Sequence, residues 1–553
     1  MKKSYKKLIV CALLPLTACN GWLREDGPMT NRVGDFFTSA QTAVQVVNAA
    51  YTPLMWEYQG TYYSEFFIGD ILSDDALKGG QNTSDMSAAY DLENFKTISN
   101  NELVLQYYRA QYQGIARCNL ALEQIPLMED KDGTFTAELR SRLLGEAHFL
   151  RAYYYFRLVR LFGDVPIVKT PIYSSEEWRQ PRSSVSDVYA LIFEDLTTAE
   201  PLLINKSKYE SKYESTELGR VTKGAAQAML LKANLYFGDY CRRTGTGDAS
   251  SYYKEAAKWG ATFALQQAGE YDLCPKYADN FTLAGENGME SVFEVQYMSE
   301  GTSDYGEGNG FSRGTFTTIL TRARSQWFNA VGWGFNHPTQ NLYDEYESGD
   351  PRRDASILAL SDEQITNPSE DYYLGNRYYC AKRTILDDTR NYVALEDSHD
   401  SRSPINRIDI RLADVYLMYA EAALNTSDRA TAKTYLEKVR SRARGTESIL
   451  PAFPGYKVPD YSKNYALHQL SDTDADLQLA IRHERRVELA MESHRWYDLC
   501  RWGIAKEVMD AYKETETTEA KGHMSEFVAG KHELLPIPVE EVRLGGLTQN
   551  FGY

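Results

Sequence analysis

The fold of this chain is set by residues 416–424, which read YLMYAEAAL, and by the helical pattern that follows after a short polar turn. With Ala420 taken as the small residue of the first helix, Ala432, Leu436 and Val439 follow at twelve, sixteen and nineteen residues. This small–large–small spacing is typical of a helix-pair repeat of roughly 34 residues. Small side chains let two helices approach closely, and bulky ones interdigitate. The stretch therefore predicts a helix hairpin, although ordinary helix packing without a repeat would give a similar pattern.

Apolar residues recur at helical spacing over most of the chain. The predicted helices are Thr42–Glu57, Leu103–Gln124, Ala137–Phe162, Val185–Leu203, Thr222–Tyr240, Tyr252–Gln267, Ile410–Leu424, Ala430–Ala443, Asp476–Glu492 and His494–Tyr512. Looser versions of the hairpin join Ala147–Ala152 with Val188–Leu196, and Ala225–Tyr236 with Tyr253–Phe263. The pattern predicts a mainly α fold made of tetratricopeptide-like helix pairs.

Four residues are predicted to mark helix ends. Ser39 and Ser184 precede predicted helices and can accept hydrogen bonds from first-turn amides as N-caps. Gly163 and Gly445 follow predicted helices and can adopt the left-handed conformation that ends them.

The middle of the chain, roughly Glu290 to Asp409, breaks the helical rhythm. Residues 291–297 alternate like a strand, and a glycine-rich run with several aromatic residues follows. This run lacks the strand and helix context of a phosphate-binding glycine motif. A long aromatic loop on a helical scaffold is where a binding surface is expected. For Trp333 and Phe335, packing between irregular segments is the favoured role.

The N-terminus is typical of an exported lipoprotein. Four lysines among residues 2–7 precede an apolar run, Leu8–Leu16, which is too short to span a bilayer. Leu16-Thr17-Ala18-Cys19 has the pattern of a bacterial lipoprotein cleavage site. We expect a signal peptide over 1–18, lipid on Cys19 and an extended tether over 19–38. The alternative is a chance cysteine beside an ordinary signal peptide.

Composition limits the functions open to the chain. Its 553 residues are 43% hydrophobic and can bury a large core in one or more domains. The formal net charge is −17, and loss of the lysine-rich leader makes the rest more acidic. Such a charge argues against nucleic acid and against electrostatic binding to anionic lipid. Membrane attachment is therefore expected through the N-terminal lipid alone.

Neither a metal site nor a cofactor is predicted. Beyond Cys19 the chain has five scattered cysteines without CxxC spacing, and we interpret them as mostly buried thiols: Cys118, Cys241, Cys274, Cys380 and Cys500. Because their number is odd, any disulfide would leave at least one thiol unpaired.

Catalytic residues are not predicted either. A glycoside hydrolase needs two carboxylates facing each other roughly 5–10 Å apart across a cleft. The acid pairs Asp74-Asp75 and Asp387-Asp388 are adjacent in sequence, which does not create that geometry. His483-Glu484 is not followed by the second histidine of an HExxH zinc motif.

Several motifs in order along the chain resemble the SusD/RagB family. They are GEAHFLRAY at 145–153, LFGDVP at 161–166, GWGFNHPT at 332–339, LYDEYE at 342–347, GDPR at 349–352, RLADVYLMYAEA at 411–422, IRHERRVELA at 481–490, HRWYDLCRW at 494–502, LLPIP at 534–538 and LTQNFGY at 547–553. The resemblance covers essentially the whole chain after the leader. One departure is Leu544-Gly545-Gly546, where relatives more often have an Asn-Pro pair.

The resemblance implies a superhelix of tetratricopeptide-like helix pairs, with long irregular loops and a few short strands forming a ligand-binding face. An N-terminal helical part would span 39–289, and a C-terminal part would span 290–553. Family members are surface lipoproteins of the outer membrane that cap a SusC-like TonB-dependent barrel transporter. They capture oligosaccharides, or in some cases peptides, with residues that vary between members. The alternative is a surface tetratricopeptide-type adaptor for another protein.

The charged signature between Arg482 and Arg501 could be a catalytic cluster, but ion pairs that fix helix angles are the favoured interpretation.

The ligand residues themselves are sought among aromatics outside the helical periodicity, because stacking needs exposed rings on rigid loops. The predicted ring platforms are Tyr62, Tyr90, Tyr305 and Trp327. The predicted hydrogen-bonding partners are Asp85, Asn309, Arg322 and Arg324. Packing is the competing role for each aromatic residue.

Overall fold

The structure is a computed structural model, and it describes residues 37–57, 64–131, 133–174, 177–212, 217–299, 313–328, 332–384, 401–445 and 450–553. The predicted signal peptide, Cys19, Tyr62, Tyr305 and Asn309 lie outside these residues.

Helices dominate the described chain. They are α1 Ala40–Tyr51, α2 Phe66–Gly69, α3 Ser87–Glu93, α4 Glu102–Gln124, α5 Ala137–Phe162, α6 Val185–Leu202, α7 Lys206–Lys212, α8 Lys223–Thr244, α9 Ala249–Gln266, α10 Thr317–Thr321, α11 Gln340–Glu345, α12 Pro351–Ser356, α13 Pro368–Asp371, α14 Leu412–Asn425, α15 Arg429–Arg444, α16 Asp474–Leu489, α17 Arg495–Trp502, α18 Ala505–Thr515, α19 Thr518–His523 and α20 Val539–Arg543.

The strands are short and form two-stranded antiparallel sheets. They are β1 Ala76–Gly79, β2 Val165–Pro166, β3 Arg182–Ser183, β4 Ser291–Val295, β5 Phe335–Pro338, β6 Ile357–Ala359, β7 Tyr378–Cys380, β8 Arg407–Arg411, β9 Lys457–Asp460 and β10 Ala466–Gln469. The pairs are β1 with β5, β2 with β3, β4 with β8, β6 with β7, and β9 with β10. Two of these sheets, β1–β5 and β4–β8, join segments far apart in sequence, and β1–β5 ties the irregular middle to the N-terminal part of the chain.

The predicted hairpin between α14 and α15 is confirmed. Ala420, Ala432, Leu436 and Val439 are all buried in one cluster. The looser pairs also pack as predicted, α5 against α6 and α8 against α9. Close approach continues between pairs, because a side chain at Gly260 of α9 would collide with the ring of Tyr419 on α14. The mainly α, tetratricopeptide-like fold is therefore confirmed.

Local sequence signals explain the helix ends. The Ser39 hydroxyl accepts from the Thr42 amide, and the Ser184 hydroxyl accepts from the Asp187 amide. Gly163 and Gly445 end α5 and α15, as predicted, with positive φ but with ψ of −121° and −148°, outside the left-handed helical region.

Two predicted helices are wrong in extent. The predicted Thr42–Glu57 helix ends at Tyr51 and continues only as a 3₁₀ turn, because Pro53 has no amide to donate to the Ala49 carbonyl. Arg117 Nη1 donates to that carbonyl instead, at 2.9 Å. The predicted His494–Tyr512 helix is two helices, because Gly503 adopts φ +76° and ends α17.

The charged signature is structural, as predicted. Arg485 of α16 contacts Asp414 of α14 at 2.9 Å and Asp498 of α17 at 2.8 Å. Arg501 of α17 contacts Asp239 of α8 at 2.8 Å and Glu421 of α14 at 2.6 Å. These buried pairs hold four helices together.

A second buried network centres on Arg411 at the end of β8. Its guanidinium contacts Glu290 at 2.7 Å, Glu488 at 2.6 Å and Glu492 at 2.8 Å. Lys382 also contacts Glu492, at 2.6 Å. The network therefore joins the loop before β4, the C-terminal turn of α16 and the irregular middle.

The acid pair Asp74-Asp75 is also structural. Arg495 Nε lies 2.8 Å from Asp74, and Arg486 Nε lies 2.8 Å from Asp75. Both carboxylates are buried and engaged by arginines. Asp387-Asp388 lies outside the described residues.

The predicted thiols are free in the structure. Cys118, Cys241, Cys274 and Cys380 are buried, and Cys500 is half-buried.

Within the described ranges, no group of three or more His, Cys, Asp or Glu side chains is arranged to hold a metal ion. None of the described helices is both long and apolar enough to cross a membrane.

Candidate functional site

The sheet β1–β5 carries two loops that contain most of the described candidate residues. Loop 80–86 follows β1, and the described residues 322–328 and 332–334, together called loop 322–334, precede β5. The Gly80 amide donates to the Gly334 carbonyl, which joins the two loops. Both glycines have positive φ, +78° and +68°, a conformation that other residues rarely adopt. Loop 80–86 therefore leaves the sheet, and loop 322–334 enters it, at a fixed position.

Loop 322–334 presents an indole to solvent. Trp327 is 42% exposed, whereas the next residue, Phe328, is buried. The Trp327 amide donates to Ser325 Oγ at 3.2 Å, and the Gln326 amide donates to Thr366 Oγ1 at 3.1 Å. Trp327 therefore presents an exposed ring from a position where its own amide and the preceding amide are both hydrogen-bonded.

The two arginines of this loop differ in exposure. Arg324 is half-buried, and its Nη1 lies 3.4 Å from the Trp333 carbonyl. Its Nε is buried without a hydrogen-bond partner among the described residues. Arg322 is only 2% exposed, and its carbonyl accepts from the Gly334 amide at 2.9 Å. Arg324 is thus the better placed of the two to reach a ligand.

Asp85 shapes the facing loop. Its Oδ2 accepts from the Gln81 amide at 2.9 Å, and its amide donates to Asn82 Oδ1 at 3.1 Å. A Cβ at Gly80 would lie 2.8 Å from Asp85 Oδ2, and one at Gly334 would lie 2.7 Å from Arg324 Cγ. The structure therefore brings Asp85 and Arg324 to neighbouring positions about the Gly80–Gly334 contact.

Tyr90 is half-buried on α3 and has partners of its own. Its hydroxyl lies 2.9 Å from His523 Nδ1, and the ammonium of Lys96 lies 5.1 Å from its ring centroid. The contact with His523 connects α3 to α19. The role of Tyr90 as a platform stays a prediction, as do those of Tyr62, Tyr305 and Asn309.

Trp333 and Phe335 pack as expected. Phe335 is buried in the main core, and Trp333 packs against that core with its ring edge-to-face on Phe316 at 5.2 Å.

Sequence reasoning missed the buried residues that support both loops. Lys78 of β1 is buried, with its ammonium 5.4 Å from the Phe335 ring centroid and 5.0 Å from that of Tyr373. The Lys78 ammonium donates to the Asn82 carbonyl at 2.9 Å and so holds loop 80–86 from its buried side. Burial lowers the pKa of Lys78 to about 8. The Glu93 carboxylate accepts from the Lys78 amide, and burial raises the pKa of Glu93 to about 7. A lone lysine in a short strand gives no sequence signal of such a role.

This part of the chain offers an exposed flat ring at Trp327 and, three residues earlier, the half-buried guanidinium of Arg324. That combination suits stacking and hydrogen bonding to a ligand.

Comparison with known proteins agrees with the fold. Residues 289–553 match the family model described as the SusD family, and residues 29–235 match the model described as "Starch-binding associating with outer membrane". SusD-like protein P2 of Formosa agariphila is 26% identical over 563 residues, which cover 99% of each chain. A SusD-like protein of Bacteroides ovatus is 24% identical over 525 residues, which cover 90% of this chain and 82% of the relative.

Solved structures are similar over nearly the whole chain. A laminarin binding SusD-like protein superposes with a TM-score of 0.72 at 28% identity, covering 94% of this chain and 100% of the other. Surface glycan-binding protein A from Bacteroides fluxus gives a TM-score of 0.73 at 24% identity, with 93% and 100% covered; at that identity the likeness concerns the fold. The helix pairs, the loop-bearing sheet and these matches together show that the chain belongs to the SusD/RagB family.

Proposed function

We propose that this chain is a surface-exposed outer-membrane lipoprotein that captures oligosaccharides and delivers them to a SusC-like TonB-dependent transporter. The observation that carries the proposal is the exposed ring of Trp327, whose own amide and that of Gln326 are held by hydrogen bonds. The name of the laminarin binding relative supports a glycan ligand, since it shares 28% identity over 94% of this chain. The description of the N-terminal family model supports association with the outer membrane.

The chain is a binding protein and not an enzyme, since one of its family models is described as starch-binding and the 28% identical solved relative as laminarin binding. Among the described carboxylates, the pair Asp74-Asp75 is already engaged by Arg486 and Arg495. Peptide binding on the same scaffold is the second candidate, because an exposed ring and a guanidinium can also receive a peptide.

A panel of ligands tests this proposal. We expect the purified protein to bind laminarin or another oligosaccharide saturably, to leave it intact on product analysis, and not to bind unrelated peptides. Saturable binding of peptides, with no binding of any glycan in the panel, would favour the second candidate over this proposal. Release of shorter sugars would contradict a pure binding role.

The lipid anchor is tested at Cys19. We expect Cys19→Ser to yield unprocessed or soluble protein, because the thiol that would carry the lipid is lost. The matched control is Cys11→Ser, a second cysteine of the leader that should leave processing unchanged. Normal processing and membrane fractionation of Cys19→Ser would contradict the assignment.

The transporter partnership predicts co-purification. A helical body on a lipid tether can stay associated with a barrel while it opens. Pull-down of the full-length protein in mild detergent should recover an outer-membrane barrel protein. Recovery of the lipoprotein alone, under conditions that preserve related complexes, would count against the partnership.

A further inference from the structure

A cavity lies among the helix pairs, and none of the predicted ligand residues lines it. Its volume is about 440 Å³, within the roughly 300–1,000 Å³ range of small-molecule sites. Helices α5, α6, α8 and α17 and the segment 530–534 form its walls. Four tyrosines contribute flat faces to it: Tyr189, Tyr236, Tyr240 and Tyr497.

Arg160 provides a guanidinium in this cavity that is in no ion pair with a described carboxylate, since Glu65, which acts on it electrostatically, pairs with Arg157. Its guanidinium lies 3.7 Å from the ring centroid of Tyr497 and 4.4 Å from that of Phe156. Nε donates to the Phe156 carbonyl at 3.2 Å, but no described carboxylate forms an ion pair with the group. Arg501 on the same wall differs, since Asp239 and Glu421 already engage it. The terminal amino groups of Arg160 are therefore open to an anion.

Tyr236 adds a buried hydroxyl that can donate a hydrogen bond to a ligand. The residue is 4% exposed, and its hydroxyl is buried without a hydrogen-bond partner in the part of the chain that the structure describes. Its ring centroid lies 5.9 Å from the Arg160 guanidinium and 5.0 Å from that of Arg501. Burial raises the pKa of Tyr236 to about 12, so the hydroxyl stays protonated and can donate. A buried polar group without a partner is costly, and a ligand oxygen would satisfy it.

The charges at the rim are mixed. Arg243 is exposed and has no ion pair among the described residues. Glu533 is the carboxylate among the lining residues, and its Oε2 accepts from the Gly530 amide at 2.7 Å. Two available guanidinium groups thus face one carboxylate, which favours an anionic ligand.

We propose that this cavity binds a small ring-bearing carboxylate, namely an acidic monosaccharide of the uronic acid class. The carboxylate would pair with Arg160, the ring would lie on the tyrosine faces, and a ring hydroxyl or carboxylate oxygen would accept from Tyr236. A planar guanidinium matches the two oxygens of a carboxylate, and aromatic faces suit the apolar faces of sugar rings. This site is separate from the Trp327 face and does not depend on it.

Titration calorimetry with D-glucuronate and D-glucose tests the assignment, because these sugars share a ring and differ in the carboxylate. We expect saturable binding of glucuronate and at least about tenfold weaker binding of glucose. Arg160→Gln should weaken glucuronate binding at least about tenfold. The matched control is Arg353→Gln, which removes an arginine stacked 4.6 Å from the Tyr343 ring centroid outside the cavity.

Tyr236→Phe is a second variant that tests the proposal even if Arg160→Gln does not fold. It deletes only the hydroxyl without a partner, so the melting temperature should not fall, while glucuronate binding should weaken about two- to tenfold. Absence of saturable glucuronate binding by the wild type would overturn the proposal. So would equal affinity for glucose, or unchanged glucuronate affinity in both folded variants.

Discussion

Replacing Arg411 by methionine is expected to lower the free energy of unfolding by about 3–5 kcal/mol, the usual cost of removing one partner from a buried ion network. Arg411 is buried and makes five hydrogen bonds, to Glu290, Glu488 and Glu492. Methionine fills similar space but leaves these carboxylates with fewer cations. Lys382 alone would then contact Glu492. Denaturant unfolding followed by circular dichroism measures the change.

Arg377→Met is the matched control. Arg377 contacts the exposed carboxylate of Asp362 at 3.0 Å, and surface pairs of this kind contribute only about 0–1 kcal/mol. Equal stability losses in the two variants would contradict a special role for the buried network.

The loss should also depend on pH. Burial raises the pKa of Glu492, but Arg411 and Lys382 outweigh burial and lower it to about 2. A carboxyl group whose folded pKa lies below its unfolded value of about 4.3 adds stability above that value and loses it as the pH falls toward the folded pKa. The difference between wild type and Arg411→Met should therefore be largest near neutral pH and shrink between about pH 4 and pH 2. A difference that stays constant over this window would show that packing, and not charge, causes the loss.

Truncating Trp327 to alanine is expected to weaken oligosaccharide binding about tenfold or more. Stacking on an aromatic side chain contributes roughly 1–3 kcal/mol for nucleic acid bases, and sugar stacking is expected to be of similar order. A factor of about ten in affinity corresponds to 1.4 kcal/mol. Because the ring is 42% exposed, its removal should hardly change the melting temperature.

Trp178→Ala is the control for this prediction. Trp178 is 41% exposed, and it lies on a different loop, between β2 and β3. It should leave binding unchanged. Loss of folding in Trp327→Ala would show that the indole is part of the scaffold.

The helical body could be predicted because its determinants are local. The spacing of Ala420, Ala432, Leu436 and Val439 encodes which faces meet, and Ser184 places a helix start by its own hydrogen bond. The break at Gly503 was missed because the apolar periodicity continues on both sides of it.

The candidate site was only partly predictable. Trp327 could be found because it falls outside helical periodicity and within an irregular segment. Lys78 could not, since its burial depends on β5 and Tyr373, far away in sequence. Arg160 and Tyr236 could not be predicted as ligand residues because they lie in long regular helices, where a structural role is the expected one.

The most direct test of the central claim is calorimetric titration of the wild type, Trp327→Ala and Trp178→Ala with the same laminarin oligosaccharide. The account predicts saturable binding by the wild type and Trp178→Ala, with affinity about tenfold or more lower for a folded Trp327→Ala. Equal affinity in all three proteins would show that the ligand lies elsewhere. Absence of binding to laminarin and to every other glycan tried would contradict glycan capture itself.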